Sequence, residues 1–553
     1  MKISLNKRAL IVAAVAAAFL FGAFTGSALL DAITGTDVKS AAKIAGVEYT
    51  QKEVDSIVSG LEDYRKSYLA NREKALPNSL PPAFQFQPLP PGFVMDMKPE
   101  NGGFSGVGNI RKPNNPDDLA YYSIQQLAKL ISTKQITSEE LTKFFIERLK
   151  KYNPKLNCVV TLNEEKALAQ ARAADKALAD GEYYGMLHGI PYGIKDMFAT
   201  KGMPTTYGAA PYKNQVLDYD ASVVEKLQKA GAVLVAKLSL GELAMGDTWF
   251  GGQTRNPWDT ATGSSGSSAG PASAVSAGLV PFAIGSETLG SIVSPSTVCG
   301  TTGLRPTFGR VSRHGAMALA WTMDKIGPIC RSAEECAIVF SAIHGPDGKD
   351  LTAVSNVPFS YPAGFNPKTV RIGYIKSAFD KDYPFKQQDS TALKMLTRMG
   401  FELKAVELPA LPKIDFIISV EAAAAFDELT LNNQDDQLAQ QLKRSWPNIF
   451  RTARMVPAVE YIKANRLRSQ LIADVDKVFK EVDIIVHPSW AGDALRISNY
   501  TGHPAVVVPN GFKENKPTSI TFMGGLYKEG VLLKLAQAYQ TEAGFNTQRP
   551  KLD

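Results

Sequence analysis

The sequence contains little cysteine and little histidine. Its 553 residues include four cysteines and five histidines, and no two cysteines have C-x-x-C spacing. No Cys/His cluster has the spacing of a zinc site, so we expect no bound metal. Four cysteines in so long a chain do not form a disulfide framework. We expect mostly buried thiols, with a pair involving Cys330 or Cys336 left open if the protein is exported.

Blocks of like charge are also missing. Lys and Arg number 61 and Asp and Glu number 54, so the net charge of +7 is small for this length. No run of Lys and Arg marks a nucleic-acid footprint, and we expect no nucleic-acid partner. Hydrophobic residues make up 44% and charged residues 21%, as in ordinary globular proteins. This composition excludes a wholly disordered chain and a collagen.

Long apolar runs are absent, with one exception at the N-terminus. Three basic residues within the first eight positions precede 22 uncharged residues, Ala9 to Leu30. Basic residues before an apolar stretch are typical of an export signal, and this run is also long enough to span a bilayer. One such run excludes a polytopic membrane protein. We predict export, periplasmic or secreted, with residues 1–30 acting as a cleaved signal peptide or as a membrane anchor.

The rest of the chain divides by composition into an arm and a domain. Residues 31–118 predict an N-terminal arm, helical over 40–76 and then rich in Pro and Gly, which we expect to lie on the main domain. From Tyr121 onward, amphipathic helices alternate with short apolar strands, as in α/β proteins with a layered sheet. We predict the main domain over residues 119–547.

Local signals place several elements of this domain. Thr137-Ser-Glu-Glu140 predicts a capping box, in which Thr137 caps a helix and Glu140 bonds back to the Thr137 amide. Residues 167–179 predict a helix, and residues 158–162 predict a strand. Residues 415–482 are mainly helical by the same criterion.

A serine-rich segment is the most unusual part of the sequence. Gly263-Ser-Ser-Gly-Ser-Ser-Ala-Gly270 leads into a small-residue helix, an apolar strand over Leu279–Ile284, and the turn Gly285-Ser-Glu-Thr-Leu-Gly-Ser291. A Gly/Ser stretch alone is typical of a linker, but linkers rarely lead into such elements. Backbone amides in Gly/Ser turns suit an oxyanion or a phosphate. A phosphate loop would need Gly-Lys-Ser/Thr, which is absent.

Part of this segment also fits the nucleophile elbow of α/β-hydrolases. Gly266-Ser-Ser-Ala-Gly270 matches G-x-S-x-G, with Ser268 as the nucleophile. That motif requires a buried strand immediately before it, whereas residues 256–262 are polar and turn-like. The elbow would make the protein an esterase that uses Ser268, and its sequence context is unfavourable.

A lysine ends the second notable segment, Gly189-Ile-Pro-Tyr-Gly-Ile-Lys195-Asp196. Its alternating apolar residues predict a strand. Lys195 is either a solvated surface lysine or a desolvated one whose lowered pKa suits a general base. A serine hydrolase without an obvious histidine base needs another base, and lysine is the known substitute.

Taken in order, these segments resemble the amidase signature family from about residue 119 to about residue 545. Further matching motifs begin at Asn256, Cys299, Gly309, Asp324, Asn499 and Val508. The resemblance implies an α/β fold with a large mixed twisted β-sheet flanked by helices on both faces. It also implies that no cofactor is needed.

The resemblance assigns a Ser–cis-Ser–Lys triad. Ser291 matches the nucleophile, Ser267 the cis-serine and Lys195 the base, while Ser268 matches a supporting serine. The oxyanion hole corresponds to the backbone amides of Thr288, Leu289, Gly290 and Ser291. This chain departs from the family at Ala269 and Pro271, where glycine is usual, and at Leu289, where Gly or Asp is common.

The implied function is hydrolysis of a small-molecule or peptide amide to an acid plus ammonia or an amine. One alternative within the family is a protein like the A subunit of the tRNA-dependent amidotransferase, which would need partner subunits. A second is a non-catalytic binding protein on the same scaffold, which the presence of Lys195 and Ser291 disfavours. The third is the esterase that uses Ser268.

Overall fold

The computed structural model describes residues 32–73, 76–97, 102–353, 355–362, 366 and 369–552. The predicted export segment lies outside these residues, so export stays a prediction. Within the described ranges, none of the helices combines the length and the hydropathy that crossing a membrane requires. By its contacts the chain divides into two compact units, Met1–Leu76 and Pro77–Asp553. This boundary falls inside the arm predicted over residues 31–118.

The first unit contains a pair of helices, α1 (Gly35–Ala45) and α2 (Gln51–Arg72). The sequence predicted one helical stretch over 40–76. The structure interrupts it at Gly46, which ends α1 with a left-handed φ of 71° that glycine adopts without strain. Three apolar side chains of the pair are buried: Val38, Ala42 and Val54.

Along the chain, the helices of the second unit alternate with its strands over most of its length, as the sequence pattern predicted. They are α3 (Ile124–Ser132), α4 (Ser138–Leu156), α5 (Glu164–Ala179), α6 (Ser222–Lys229), α7 (Ala269–Ser276), α8 (Val293–Cys299), α9 (Ala333–Ile343), α10 (Lys376–Asp380), α11 (Lys386–Arg398), α12 (Phe416–Ala425), α13 (Asp427–Leu431), α14 (Trp446–Ala453), α15 (Ala458–Phe479), α16 (Ala494–Thr501) and α17 (Glu529–Ala543).

The strands of the second unit are mostly short. They are β1 (Val159–Leu162), β2 (Pro191–Lys195), β3 (Val233–Leu238), β4 (Thr248–Trp249), β5 (Gly252–Gln253), β6 (Arg255–Asn256), β7 (Asp259–Gly263), β8 (Phe282–Glu287), β9 (Thr302–Arg305), β10 (Lys325–Cys330), β11 (Ile372–Ile375), β12 (Leu403–Val406), β13 (Ile484–Pro488), β14 (Ala505–Lys513) and β15 (Lys516–Gly524).

One large mixed sheet organises the second unit. Among the described residues it has 11 strands in the order β1-β3-β2-β8-β10-β9-β14-β15-β13-β11-β12. Strand β2 runs parallel to β3 and β8, whereas β10 is antiparallel to β8 and β9. Alternate residues of β3 pack into different hydrophobic clusters, Leu234 into one and Val233 and Val235 into another. A strand buried on both sides needs helices on both faces of the sheet. The predicted α/β class is therefore confirmed.

Two neighbouring parallel strands bring Lys195 and the turn that ends at Ser291 to one edge of this sheet. Strand β2 ends at Lys195, and β8, aligned with it through Ile194 and Ile284, ends at Glu287. Carboxyl ends of parallel strands lie at the same edge, so the residues that follow them meet there. Strand β8 begins at Phe282 rather than at the predicted Leu279.

Several local predictions can be compared with the structure directly. Thr137 caps α4, its hydroxyl accepting the Glu140 amide at 3.0 Å, but the Glu140 carboxylate pairs with Lys112 instead of completing the predicted capping box. The helix predicted over 167–179 and the strand predicted over 158–162 are present as α5 and β1. All four cysteines are buried and free, so the disulfide left open by the sequence is not formed.

Candidate active site

Lys195 is buried at the end of β2 between two serine hydroxyls. Its Nζ donates to Ser267 Oγ at 2.9 Å and to Ser286 Oγ at 2.8 Å, and the side chain has no exposed surface. Burial lowers the pKa of Lys195 to about 7, although the nearby carboxylates of Asp324 and Glu287 oppose the change. Lys195 therefore titrates near neutral pH, and its neutral amine is able to accept a proton.

Ser267 lies in the tight loop between β7 and α7. The peptide bond between Gly266 and Ser267 is cis, and Ser267 is almost fully buried. Its carbonyl accepts the Gly241 amide at 3.3 Å. A Cβ atom added to Gly266 would lie 1.8 Å from the Gly246 carbonyl oxygen, so only glycine fits there. The loop thus holds the Ser267 hydroxyl at the Lys195 amine.

Ser291 follows β8 in the turn that leads to α8. It is partly exposed, so a substrate is able to reach it. Its carbonyl accepts the Ser268 amide at 3.1 Å, which joins this turn to the serine-rich loop. Gly290, just before it, has a left-handed φ of 96°. The structure therefore places Ser291 beside the loop that carries Ser267.

The turn before Ser291 presents backbone amides without protein acceptors. Within the described part of the chain, the amides of Leu289, Gly290 and Ser291 are not paired with an acceptor. The next two amides, those of Ile292 and Val293, donate to the Glu287 carboxylate at 2.8 and 2.9 Å. Adjacent unpaired amides in one turn are the geometry that stabilises an oxyanion.

Glu287 fixes this turn from below. One carboxylate oxygen accepts hydrogen bonds from the Ile292 and Val293 amides. The other accepts Arg305 Nη1 at 2.6 Å and Asn499 Nδ2 at 2.8 Å. Both Glu287 and Arg305 are fully buried. Burial favours the protonated acid, but Arg305 and the turn amides outweigh it and lower the pKa of Glu287 to about 2. Glu287 is therefore a charged support of the turn at every ordinary pH.

Asp324 supports the same turn through the side chain of Thr288. Its Oδ1 accepts the Thr288 hydroxyl at 2.6 Å, and its Oδ2 accepts the amides of Leu319 and Ala320 at 2.8 and 3.0 Å. Burial raises the pKa of Asp324 despite these hydrogen bonds. The position of Thr288 is thus tied to the segment just before β10.

Ser268 is unsuited to the nucleophile role that the elbow motif would give it. It is fully buried, and its hydroxyl donates to the Ser286 carbonyl at 3.1 Å and accepts the Ser286 amide at 3.2 Å. The strand before it, β7, belongs to a two-stranded hairpin with mostly exposed residues rather than to the large sheet. The buried strand that the elbow requires is therefore missing.

Comparison with known protein families shows which family the chain belongs to. The model of the Amidase family matches residues 140–501, which include every site residue described above. The chain belongs to the amidase family. The resemblance stated from the sequence motifs is therefore confirmed, and this amidase is a hydrolase that acts on amide C–N bonds.

Curated relatives cover most of this amidase. The A subunit of glutamyl-tRNA(Gln) amidotransferase from Coxiella burnetii is 34% identical over 483 residues, which is 78% of this chain and 99% of the relative. The protein of the same name from Acinetobacter baumannii is 36% identical over 484 residues, 78% of this chain and 98% of the relative.

Solved structures are similar over the same extent. Peptide amidase from Stenotrophomonas maltophilia has a TM-score of 0.71 and 28% identity, covering 78% of this amidase and 99% of that chain. An amidase family protein from Bacillus anthracis has a TM-score of 0.69 and 26% identity, covering 79% and 93% of the two chains.

Three further residues of the amidase site were not assigned from the sequence: Ser286, Glu287 and Asp324. Ser286 and Glu287 lie inside the turn motif that ends at Ser291, and Asp324 opens a motif of its own. Their positions in these motifs were the available signal. Their roles come from partners in other strands and loops, which no local pattern reveals.

Proposed function

We propose that this amidase hydrolyses a carboxylic amide to an acid plus ammonia or an amine through an acyl-enzyme on Ser291. The observation that supports this most is the buried contact of 2.9 Å between Lys195 and Ser267, beside a turn with unpaired amides. A buried lysine that titrates near neutral pH is suited to a base. Ser267 is suited to a relay, because a hydroxyl both donates and accepts a proton.

The reaction follows from these positions. Neutral Lys195 accepts a proton through the Ser267 hydroxyl as Ser291 Oγ attacks the amide carbonyl carbon. The amides of Thr288, Leu289, Gly290 and Ser291 stabilise the negative oxygen of the tetrahedral intermediate. The relay then returns the proton to the leaving nitrogen, and the C–N bond breaks. Water, activated by the same relay, releases the acyl group as the acid.

The direct test combines covalent labelling with turnover. A fluorophosphonate should label Ser291, located by peptide mapping, and Ser291→Ala should lose both the label and all release of ammonia or amine from an amide panel. Ser267→Ala and Lys195→Ala should each lower kcat/KM by several orders of magnitude, because a catalytic relay acts as a unit. Ser268→Ala is the matched control and should keep a labelled nucleophile. Label on the Ser268 peptide, with Ser291→Ala still active, would overturn the assignment.

The proposed chemistry needs no metal and no organic cofactor. Exhaustive chelation should therefore leave the release of ammonia or amine unchanged. A reproducible loss of activity that zinc restores would refute the Ser–Ser–Lys relay.

A second candidate function is that of an amidotransferase A subunit. It is favoured by the curated relatives, whose lengths this chain covers almost completely. A protein of that kind should copurify with further subunits and act on glutamyl-tRNA(Gln). If the purified chain alone hydrolyses amides, and if adding glutamyl-tRNA(Gln) does not change the rate, the hydrolytic amidase is favoured instead.

We also propose that the protein is exported and that residues 1–30 are either removed or retained as a membrane anchor. The support is the basic start of the chain and the apolar run Ala9–Leu30. Cell fractionation and the mass of the mature N-terminus test this proposal. Cytosolic protein with Met1 intact and no membrane association would contradict it.

A further inference from the structure

The arm that precedes the family match is bonded to the core at Asn78. The Asn78 side-chain amide pairs with the backbone of Ala318 in both directions, Oδ1 accepting the Ala318 amide at 2.7 Å and Nδ2 donating to its carbonyl at 2.9 Å. The same Nδ2 donates to the Ala425 carbonyl at the end of α12 at 3.1 Å. One side chain of the arm thus ties together two segments that are distant in sequence.

The segment held by Asn78 is the one that supports the oxyanion turn. The amides of Leu319 and Ala320, directly after Ala318, donate to Asp324 Oδ2, and the Thr288 hydroxyl donates to Asp324 Oδ1. A continuous path of hydrogen bonds and short backbone links therefore leads from Asn78 to Thr288. Leu319, Ala320 and Asp324 on this path are buried, and Ala318 is partly buried.

The arm also lies close to the partner of the catalytic lysine. Ser79 and Pro81 line a cavity of about 70 Å³ that Ser286 and Asp324 also line. Ser286 is the hydroxyl that, with Ser267, accepts a hydrogen bond from Lys195. The arm is thus separated from the relay by one small cavity.

We propose that Asn78 is a positioning residue for the reaction, holding the oxyanion turn in place through the 318–324 segment and Asp324. The proposal rests on the proposed function of Ser291 and its turn. Asn78 does not touch the reacting atoms. It lies outside residues 140–501, the part of the chain that the family model matches.

The test measures the rate at which a fluorophosphonate labels Ser291, which requires no knowledge of the natural amide. Asn78→Ala in the full-length protein should slow labelling about tenfold, the effect of losing hydrogen bonds that hold the turn. On an amide from the panel, kcat should fall while KM stays within about twofold, because the oxyanion hole acts in the transition state. Gln87→Ala, at an exposed position of the arm, is the matched control and should label at the wild-type rate.

A double-mutant cycle with Thr288→Val separates this role from a general loss of stability. Thr288→Val removes the hydroxyl that donates a hydrogen bond to Asp324 but keeps the Thr288 backbone amide. If Asn78 acts through Asp324, Asn78→Ala should slow labelling less than about twofold in the Thr288→Val background. Rates are measured far below the unfolding temperature, on variants with native circular dichroism. Asn78→Ser enters the same cycle if Asn78→Ala does not fold.

The outcomes distinguish this inference from the proposed function. Wild-type labelling of Ser291 with an unchanged rate in Asn78→Ala would overturn the role of Asn78 alone. The same tenfold loss in both backgrounds would also overturn it, because the effect would not pass through Thr288. Absence of label on Ser291 in the wild-type protein would refute the proposed function itself.

Discussion

The charge of Lys195 should control the rate on the acidic side of the pH profile. The base must be neutral to accept a proton, and burial lowers its pKa to about 7. Both kcat/KM and the labelling rate should therefore rise with pH and level off above about pH 7. Each unit below about 7 lowers the neutral fraction about tenfold, so at pH 5 about 1% of the enzyme is competent. The rate there should be about a hundredfold below the plateau.

A nearby carboxylate gives a check on the assignment. Asp324 raises the pKa of Lys195 through its negative charge, against the larger effect of burial. Asp324→Asn should therefore move the acidic limb to lower pH, whatever it does to the plateau. Asp382→Asn removes a charge at an exposed position and is the matched control, for which the limb should not move.

The assay is the labelling rate of Ser291 from about pH 5 to about pH 9, with turnover of an amide measured in parallel. Independence of the turnover rate from added viscogen establishes that chemistry, and not diffusion, is limiting. A rate that stays flat across this range under those conditions would refute Lys195 as the base. A limb that stays in place in Asp324→Asn would show that the titrating group is not beside Asp324.

Three further predictions concern the stability of the site. Glu287→Gln should destabilise the fold by about 3 to 5 kcal/mol in urea titrations, because it leaves the buried Arg305 without its carboxylate; a change below about 1 kcal/mol would contradict this. Gly266→Ala should give inactive, poorly folded protein, since its Cβ would overlap the Gly246 carbonyl, and wild-type labelling by this variant would disprove the packing argument. Lys195→Met should abolish activity yet raise the free energy of unfolding at pH 7, by removing a buried amine that is charged in the unfolded chain. That gain should shrink from pH 7 to about pH 10, where the unfolded lysine also loses its proton, and a gain independent of pH would argue against the lowered pKa.

Features set by neighbouring residues could be predicted from the sequence. The cap by Thr137 needs only the backbone amide of Glu140, three residues later, and this cap is present. The Glu140 carboxylate, however, pairs with Lys112, 28 residues earlier in the chain. The alternation of helices and strands similarly gave the α/β class. The helical stretch over 40–76 was predicted without its break because one glycine in the left-handed conformation is enough to end α1.

The assembly of the site depends on contacts that sequence patterns do not contain. Lys195 bonds to hydroxyls 72 and 91 residues away, so its burial and lowered pKa could be inferred only through the family resemblance. Ser286 lies in the turn motif Gly285–Ser291, but its contact with Lys195 arises from the pairing of β2 and β8. Asn78 lies 240 residues from its partner Ala318, and nothing in a Pro-rich arm marks one asparagine as bonded.

Under the proposed mechanism, the hydrogen bonds of Glu287 also bear on when activity first appears during synthesis of the chain. The Glu287 carboxylate, which accepts the amides of Ile292 and Val293 just after Ser291, is itself bound by Arg305 and by Asn499, 212 residues after Glu287. A chain that is still emerging from the ribosome without Asn499 therefore lacks part of the support of this turn. Fragments that end before residue 499 contain Lys195, Ser267 and Ser291 but lack the support that aligns the turn. Under the proposed mechanism, hydrolysis of amides should therefore begin only after the chain has folded as far as Asn499.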